Sequence, residues 1–422
     1  MKICLVTAFP PSRGGLSEYG FRVARALADF PQLNVTILGD DLDVPGPELD
    51  GYHVTRCWSF NRLTSAARLL REIRRLRPDI VWFNLGFASF GSRPVPAFCG
   101  MATPSVVRGL GYYTHVTLHQ IMDTMDLADA RVPYPRLYRI GGWVATRLLL
   151  MANSTSVLIP AYRRTLIDKY HGANVHFRPH GISSGRPEIP DLGQRGNPVR
   201  RILAFGKWGT YKRLEPLIEA FQKVCTQLKD VRLIVAGGNH PGMPGYVESV
   251  AQQYAGHPHM EFRGYVPEDD IAELFRNSSL VVLPYSSAAG SSGVAHLACE
   301  FGVPIVAADL PEFREMARAE GLAICFYEPR ATNRLADSIV SLLNHPEWQR
   351  QMAEQNFAAA LRMTMPSVVR QYLRLFDLGH SFPALNSVLR ARQLPRWLPF
   401  RPLWTSFLSR KATAWQHYRP SE

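Results

Sequence analysis

Residues 201–228 read RILAFGKWGTYKRLEPLIEAFQKVCTQL, and the order of residue types in this stretch decides the fold. Arg201–Phe205 is a short run of strand formers, and Gly206–Tyr211 is a glycine-containing loop. Leu214, Leu217, Ile218, Phe221, Cys225 and Leu228 then recur at the i, i+3, i+4, i+7 spacing of an amphipathic helix. Strand, loop and helix in that order form the first half of a βαβ unit. Leu233–Ala236, Met260–Phe262, Leu280–Leu283 and Ile305–Ala307 repeat it, each followed by a helix-like run, so a doubly wound parallel sheet is predicted.

The same grammar runs upstream. Ile3–Thr7 reads as a buried strand, Pro10–Gly15 as a loop, and Tyr19, Val23, Ala26 and Leu27 as one face of a helix. Further strands are predicted at Val35–Leu38, Ile80–Phe83, Ser105–Val107, Val116–Leu118 and Ser156–Ile159, with a basic helix Ala66–Arg77 stopped by Pro78. Pro179-His180-Gly181 closes this half, and the Pro- and Gly-rich stretch Ser183–Pro198 reads as a linker. The expected fold class is α/β, with two Rossmann-like doubly wound domains facing across a cleft. The expected divisions are 1–185, 198–365 and a C-terminal part 366–422 that returns a helix to the first domain.

Composition agrees with two globular domains: 422 residues, 46% hydrophobic and 20% charged. The 6 cysteines show no CxxC pair, which excludes a zinc ribbon and points away from a disulfide scaffold, toward a reducing cytosol. The 48 Lys and Arg exceed the 35 Asp and Glu by 13, a surface suited to polyanions. No nucleic-acid-reading motif occurs, which leaves anionic lipid and phosphorylated substrates. The best membrane-span candidate, Gly141–Leu158, is broken by Arg147 and Asn153, and the amino terminus does not read as a signal peptide. Residues 381–422 carry seven cations against one acid, interleaved with Trp397, Phe400, Trp404, Phe407, Trp415 and Tyr418. That pattern suits either an interfacial membrane segment or a tail packed on the first domain.

Open doubly wound sheets bind ligands beyond the carboxyl ends of their strands, so the loops there are the candidate sites. Gly14-Gly15 follows the first strand and opens a helix, where bare amides attract phosphate. It lacks the dinucleotide pattern GxGxxG, so no NAD or FAD is expected. Gly206 leads into Lys207 and Lys212, two cations beside a helix start that suit a diphosphate or are simply solvated. Ser291, Ser292 and Gly293 precede the run Val294–Phe301, either a phosphate cradle or a plain helix cap. His119 ends a strand, where an imidazole can position a substrate hydroxyl. His180 reads as a turn residue on the cleft wall. Asp40-Asp41-Leu42-Asp43 could hold a divalent ion but has no further ligand in register, so it reads as a solvated loop and no metal is expected.

In this order these stretches resemble the retaining glycosyltransferases of family 4, which have the GT-B fold. Gly14-Gly15 is similar to the family's glycine pair at the donor diphosphate, and Val116-Thr117-Leu118-His119 to its strand-end histidine beside the transferred sugar. Pro179-His180-Gly181-Ile182 resembles its hinge, and Gly206-Lys207 with Lys212 its cationic pair. Phe262–Val266 resembles the loop whose backbone meets the nucleobase, and Gly302–Ala307 the strand after the donor-site helix. The resemblance implies sugar transfer from a nucleotide-sugar donor, with retention and no metal or other cofactor. With the charge pattern, it points to a polysaccharide or lipid-linked acceptor at the cytoplasmic face of a membrane. Catalytic roles fall to His119, Lys207 and Lys212, and donor contacts to Gly14, Gly15, Gly206, Val266, Ser291, Ser292 and Gly293. The family's two glutamates, eight apart, fall here on Ala289 and Leu297, so Glu300, one turn on, is the expected substitute for the ribose ligand. That departure keeps open a second reading, a catalytically silent GT-B protein that binds a ligand or partner.

Overall fold

The computed structural model describes residues 1–12, 14–42, 51–124, 135–192, 200–240, 242–287 and 290–381. The chain forms two compact units, changing over after Arg178 and returning after Met365.

The first unit runs β1 (Lys2–Val6), α1 (Gly15–Ala28), β2 (Asn34–Asp40), β3 (His53–Trp58), α2 (Ser65–Leu76), β4 (Ile80–Leu85) and α3 (Pro94–Gly109). It continues with β5 (Tyr113–Leu118), α4 (Pro135–Leu149), β6 (Ser154–Val157), α5 (Pro160–Asp168) and β7 (Val175–Phe177). Its sheet has the order β3-β2-β1-β4-β5-β6-β7, and each neighbouring pair is parallel. β4 and β5 are buried throughout because helices cover both faces, and this is why they read as unbroken rather than alternating runs.

The second unit runs β8 (Arg200–Phe205), α6 (Glu215–Gln227), β9 (Val231–Ala236), α7 (Tyr246–Gln253), β10 (Met260–Gly264), α8 (Glu268–Arg276) and β11 (Leu280–Leu283). It continues with α9 (Gly293–Glu300), β12 (Ile305–Ala308), α10 (Pro311–Glu320), β13 (Cys325–Tyr327), α11 (Thr332–Asn344) and α12 (Pro346–Arg362). Its order, β10-β9-β8-β11-β12-β13, is again all parallel. Both sheets place the first strand of their unit at the centre and reverse direction beside it, which makes that strand's carboxyl end the switch point.

α13 (Met365–Ser381) belongs to the first unit. Its Tyr372 and Phe376 rings sit 4.5 and 5.4 Å from Trp82 of β4. A Cβ on Gly379 would lie 2.1 Å from the Tyr113 ring, so only glycine allows that approach. Beneath the helix His115 is fully buried, with Nδ1 2.7 Å from Ser154 Oγ.

The structure corrects two expectations here. Ser105–Val107 is not a strand but the last part of α3, which starts with Pro94 at its first turn. Its two valines are β-branched, yet the buried positions Pro96, Gly100, Thr103 and Val107 recur at helical spacing. The start of the supposed linker is also tied down: Ile182 donates its amide to Met363 O, and Glu300 receives the amides of Ser183 and Ser184. The basic aromatic stretch 382–422 lies outside the described residues, as do Asp43 and Ala289.

Candidate functional site

Each unit presents its own strand-end site. In the second, β8 ends at Gly206, whose φ of +148° only glycine holds without strain. β9 ends at Gly237, where a Cβ would lie 1.8 Å from Gly206 O. Two strand ends thus meet backbone to backbone, and the loop between β8 and α6 is pressed outward. Trp208 anchors that loop from below: it is fully buried, and its Nε1 donates to Ala236 O at 2.9 Å. Gly209 and Lys212 exchange backbone hydrogen bonds of 2.9 Å, and Thr210 between them takes a φ of +47°. A non-glycine residue held there marks a loop whose shape is set by its surroundings.

That loop aims Lys212. Its Nζ lies 4.3 Å from the centroid of Tyr285, which follows β11, and a Cβ on Gly206 would sit 4.0 Å from both Lys212 Nζ and Val294 Cγ2. The ammonium is therefore set between the end of β8 and the first turn of α9. Burial acts to lower its pKa, but the Tyr285 and Tyr211 rings outweigh that and hold it above the usual lysine value. Lys207, half-buried on the same loop, adds a second charge. His240 registers both: burial, then Lys212 and Lys207, push its imidazole down, so it is neutral at pH 7. Thr210 Oγ1 is buried beside this loop with no hydrogen-bond partner among the described residues. A buried hydroxyl left open next to a fixed cation can bond an anionic ligand.

Ser292 caps α9 by accepting the Ala295 amide at 3.3 Å. Behind the cap lies a group outside the expected site residues. His296 Nδ1 donates to Ser292 O at 2.7 Å, and Nε2 faces Glu320 Oε2 at 2.9 Å, both side chains buried. The His180 ring lies 4.9 Å from that of His296, and a Cβ on Gly293 would be 3.7 Å from His180 Cε1. His180 thus covers the start of α9, a more definite position than a turn on a wall. The signal for His296 is hidden in the sequence because one histidine inside an apolar run looks like helix interior. Ser291 sits at the same helix start, its hydroxyl 3.8 Å from Met316 Sδ.

Glu300 is 5% exposed, and its two oxygens accept the Ser183 and Ser184 amides, each at 2.9 Å. It staples the chain after His180 to α9. Leu297 is 7% exposed and packs in the hydrophobic core of the unit. Val266, half-buried, lines a separate cavity of about 270 Å³ with Arg201, Arg263, Tyr265 and Asn277.

In the first unit the side chains linking the ends of β1, β4 and β5 are polar and neutral. Gly14 accepts the Glu18 amide, and Gly15 is exposed, with nothing within 4 Å of where a Cβ would sit, so the start of α1 is open. His119 follows β5, with Nε2 2.7 Å from Asn84 Oδ1 and its ring edge-on to Tyr19 at 4.6 Å. Asn84 in turn donates to Thr7 Oγ1 at 3.0 Å, linking the ends of β1, β4 and β5. Burial pushes the His119 imidazole down to about 3, so it works as a neutral ring. Asp40 is engaged structurally, accepting the Phe9 amide at 2.9 Å, and Asp41 pairs with Arg68. Among the described residues no three His, Cys, Asp or Glu side chains gather in a way that could hold a metal ion.

Residues 199–345 match the family described as Glycosyl transferases group 1. The match falls within the second unit. None of the curated proteins matches the chain. Among solved structures, sucrose-phosphate synthase from Thermosynechococcus elongatus is similar over 90% of this chain and 99% of its own, with TM-score 0.71 and 15% identity. HepE from Anabaena, in complex with UDP and glucose, is similar over 89% and 99%, with TM-score 0.66 and 17% identity. WaaG, a glycosyltransferase involved in lipopolysaccharide biosynthesis, matches over 89% and 99%, with TM-score 0.62 and 14% identity. At these identities the likeness is one of fold: two parallel-sheet Rossmann-like domains of the GT-B type. The matched residues include the lysine loop, the α9 start and the His296–Glu320 pair.

Proposed function

We propose that this protein moves a sugar from a nucleotide-sugar to an acceptor hydroxyl, with retention at the anomeric carbon and without a metal. The observation that carries the reading is the Lys212 ammonium, fixed between the end of β8 and the first turn of α9 beside the buried Thr210 hydroxyl. Fixed cations and helix amides in one place suit a diphosphate whose charge grows as it leaves. The group 1 family match and the UDP-glucose bound to the similar HepE support a nucleotide-sugar as donor. In the proposed step the bond from the anomeric carbon to the phosphate oxygen breaks, and its electron pair leaves with the diphosphate. The acceptor oxygen bonds to that carbon from the same face and passes its proton to the leaving phosphate oxygen. Lys212 and Lys207 stabilise the departing charge, and neutral His119 positions a sugar hydroxyl.

The test is nucleotide release from a panel of nucleotide-sugars, with and without chelator, alongside thermal shift. Release that survives chelation supports the reading. A thermal shift with no turnover on any acceptor would return the chain to the silent-binding reading.

A further inference from the structure

We infer that the outer face of α3 and α4, with the loop before α2, docks on an anionic lipid surface. The observation is an apolar stripe pointing the wrong way. The core side of α4 is made by Gly142, Ala145, Thr146 and Leu149, yet Leu137, Ile140 and Trp143 on its other side are 56%, 64% and 41% exposed. On α3 Val95 is 61% exposed, and Phe60 and Leu63 of the loop before α2 are 53% and 61% exposed. Scattered single exposures need no account, but these six gather.

Hydrogen bonds at one end of the helices bring them together. Asn61 Oδ1 accepts the amides of Ser92 and Arg93 at 2.8 and 2.9 Å, and Tyr138 Oη donates to Ser92 O at 3.0 Å. The loop before α2 and the starts of α3 and α4 are therefore neighbours. Among the described residues of the loop before α2 and of α3 and α4, the charge has one sign. Neither α3 nor α4 contains an acidic residue. Arg62, Arg93, Arg136 and Arg139 are exposed and form no ion pair with a described residue. Arg147 lies 4.2 Å over the Trp143 ring, an arrangement that lets an aromatic and a cation share an interfacial depth. Exposed aliphatic and aromatic side chains ringed by arginines match a membrane of anionic headgroups over acyl chains. A protein partner of ordinary surface composition would call for both signs of charge.

The face also sits at a useful place. It lies where the chain leaves the carboxyl ends of β3 and β4 for the next helices, the end of the sheet that carries Gly14-Gly15 and His119. A lipid-linked acceptor would enter from that end. The surface itself stands independently of the sugar-transfer reading and would survive its failure.

Sedimentation of the full chain with vesicles tests it. We expect binding to phosphatidylcholine vesicles containing phosphatidylglycerol, little binding to phosphatidylcholine alone, and weakening in 0.5 M salt, since each interfacial arginine adds roughly fivefold to partitioning. The double substitution Leu137→Glu with Ile140→Glu, at exposed positions that leave the fold intact by circular dichroism, is expected to lower partitioning at least tenfold. Arg136→Ser with Arg139→Ser is expected to remove most of the salt sensitivity. No binding by the native chain, or equal binding by the glutamate variant, would overturn the proposal. So would a glutamate variant that changes only the oligomeric state measured by light scattering, because the face would then be a protein contact.

Discussion

The two strand-end sites share one architecture and differ in charge. In the first unit, His119, Asn84, Thr7 and Tyr19 make a neutral network, and burial keeps the histidine uncharged. In the second, the corresponding strand ends carry two lysines, which add to burial in pushing the His240 imidazole down. Parallel sheets with the same winding thus serve opposite electrostatic ends, and what differs is the loop chemistry after the central strand. The lesson is that the fold supplies a place and the loop supplies a charge. A neutral site suits hydroxyl recognition, and a cationic one suits phosphate.

The largest expected effect is on the cationic side. Lys212→Ala should lower turnover about 10²–10³-fold, the loss typical of one positioned electrostatic group, about 2.7–4 kcal/mol. Lys207→Ala is expected to cost about a hundredfold, and steady-state kinetics on the identified donor would read both. Near-normal turnover in either variant would remove that lysine from the site.

Acid separates the units next. Burial holds His119 at about 3, and burial with Arg178 and Arg163 holds His176 at about 4. His115 is pushed well below its usual value by burial, then by His176 and Arg178. An unfolded histidine takes its proton near pH 6.5, which these three refuse when folded. Their contribution is therefore complete above pH 6.5 and drains away as pH falls toward 4. The first unit should lose up to about 6 kcal/mol of stability between pH 7 and pH 5, about 2 kcal/mol for each of the three histidines. Hydrogen exchange at both pH values, read on β5 and β6 against β8 and β11, would show it. Earlier loosening of the second unit would reverse the comparison.

A smaller effect is expected at His119. His119→Ala should lower kcat about tenfold, with His119→Asn retaining part of it, because a neutral group that positions a hydroxyl contributes less than a charge facing a phosphate. If His119→Ala cost as much as Lys212→Ala, the division of labour between the units would fail. The smallest effect concerns the nucleoside. With Leu297 in the core and Glu300 spent on backbone amides, no carboxylate is assigned to the ribose. Calorimetry should find UDP and its 2′-deoxy form within about tenfold of each other, and UMP much weaker.

Much of this was legible in the sequence for physical reasons. Central strands such as Ile80–Phe83 and Leu280–Leu283 are covered on both faces and read as dense apolar runs. The lysine loop was legible because glycine and lysine after a strand leave few structural excuses. What escaped was short or mixed. β3, with the sequence His-Val-Thr-Arg-Cys-Trp, is an edge strand with one half-covered face, and β7 and β13 are three residues each. Ser105–Val107 misled because valine's strand preference was read without the period of the helix around it. A carboxylate near a donor helix has two uses, and only the folded chain reveals that Glu300 holds the Ser183 and Ser184 amides. His296 carried no sequence signal, since its partner Glu320 lies on the next helix.

The return of α13 has a consequence for how this chain is made. Trp82 gains the cover of Tyr372 and Phe376 only when those residues have left the ribosome. The first unit begins to form before the second but is completed after it. A nascent chain stalled before residue 372 would hold an intact carboxy-terminal sheet and an amino-terminal one with bare aromatic surface, a natural substrate for chaperones.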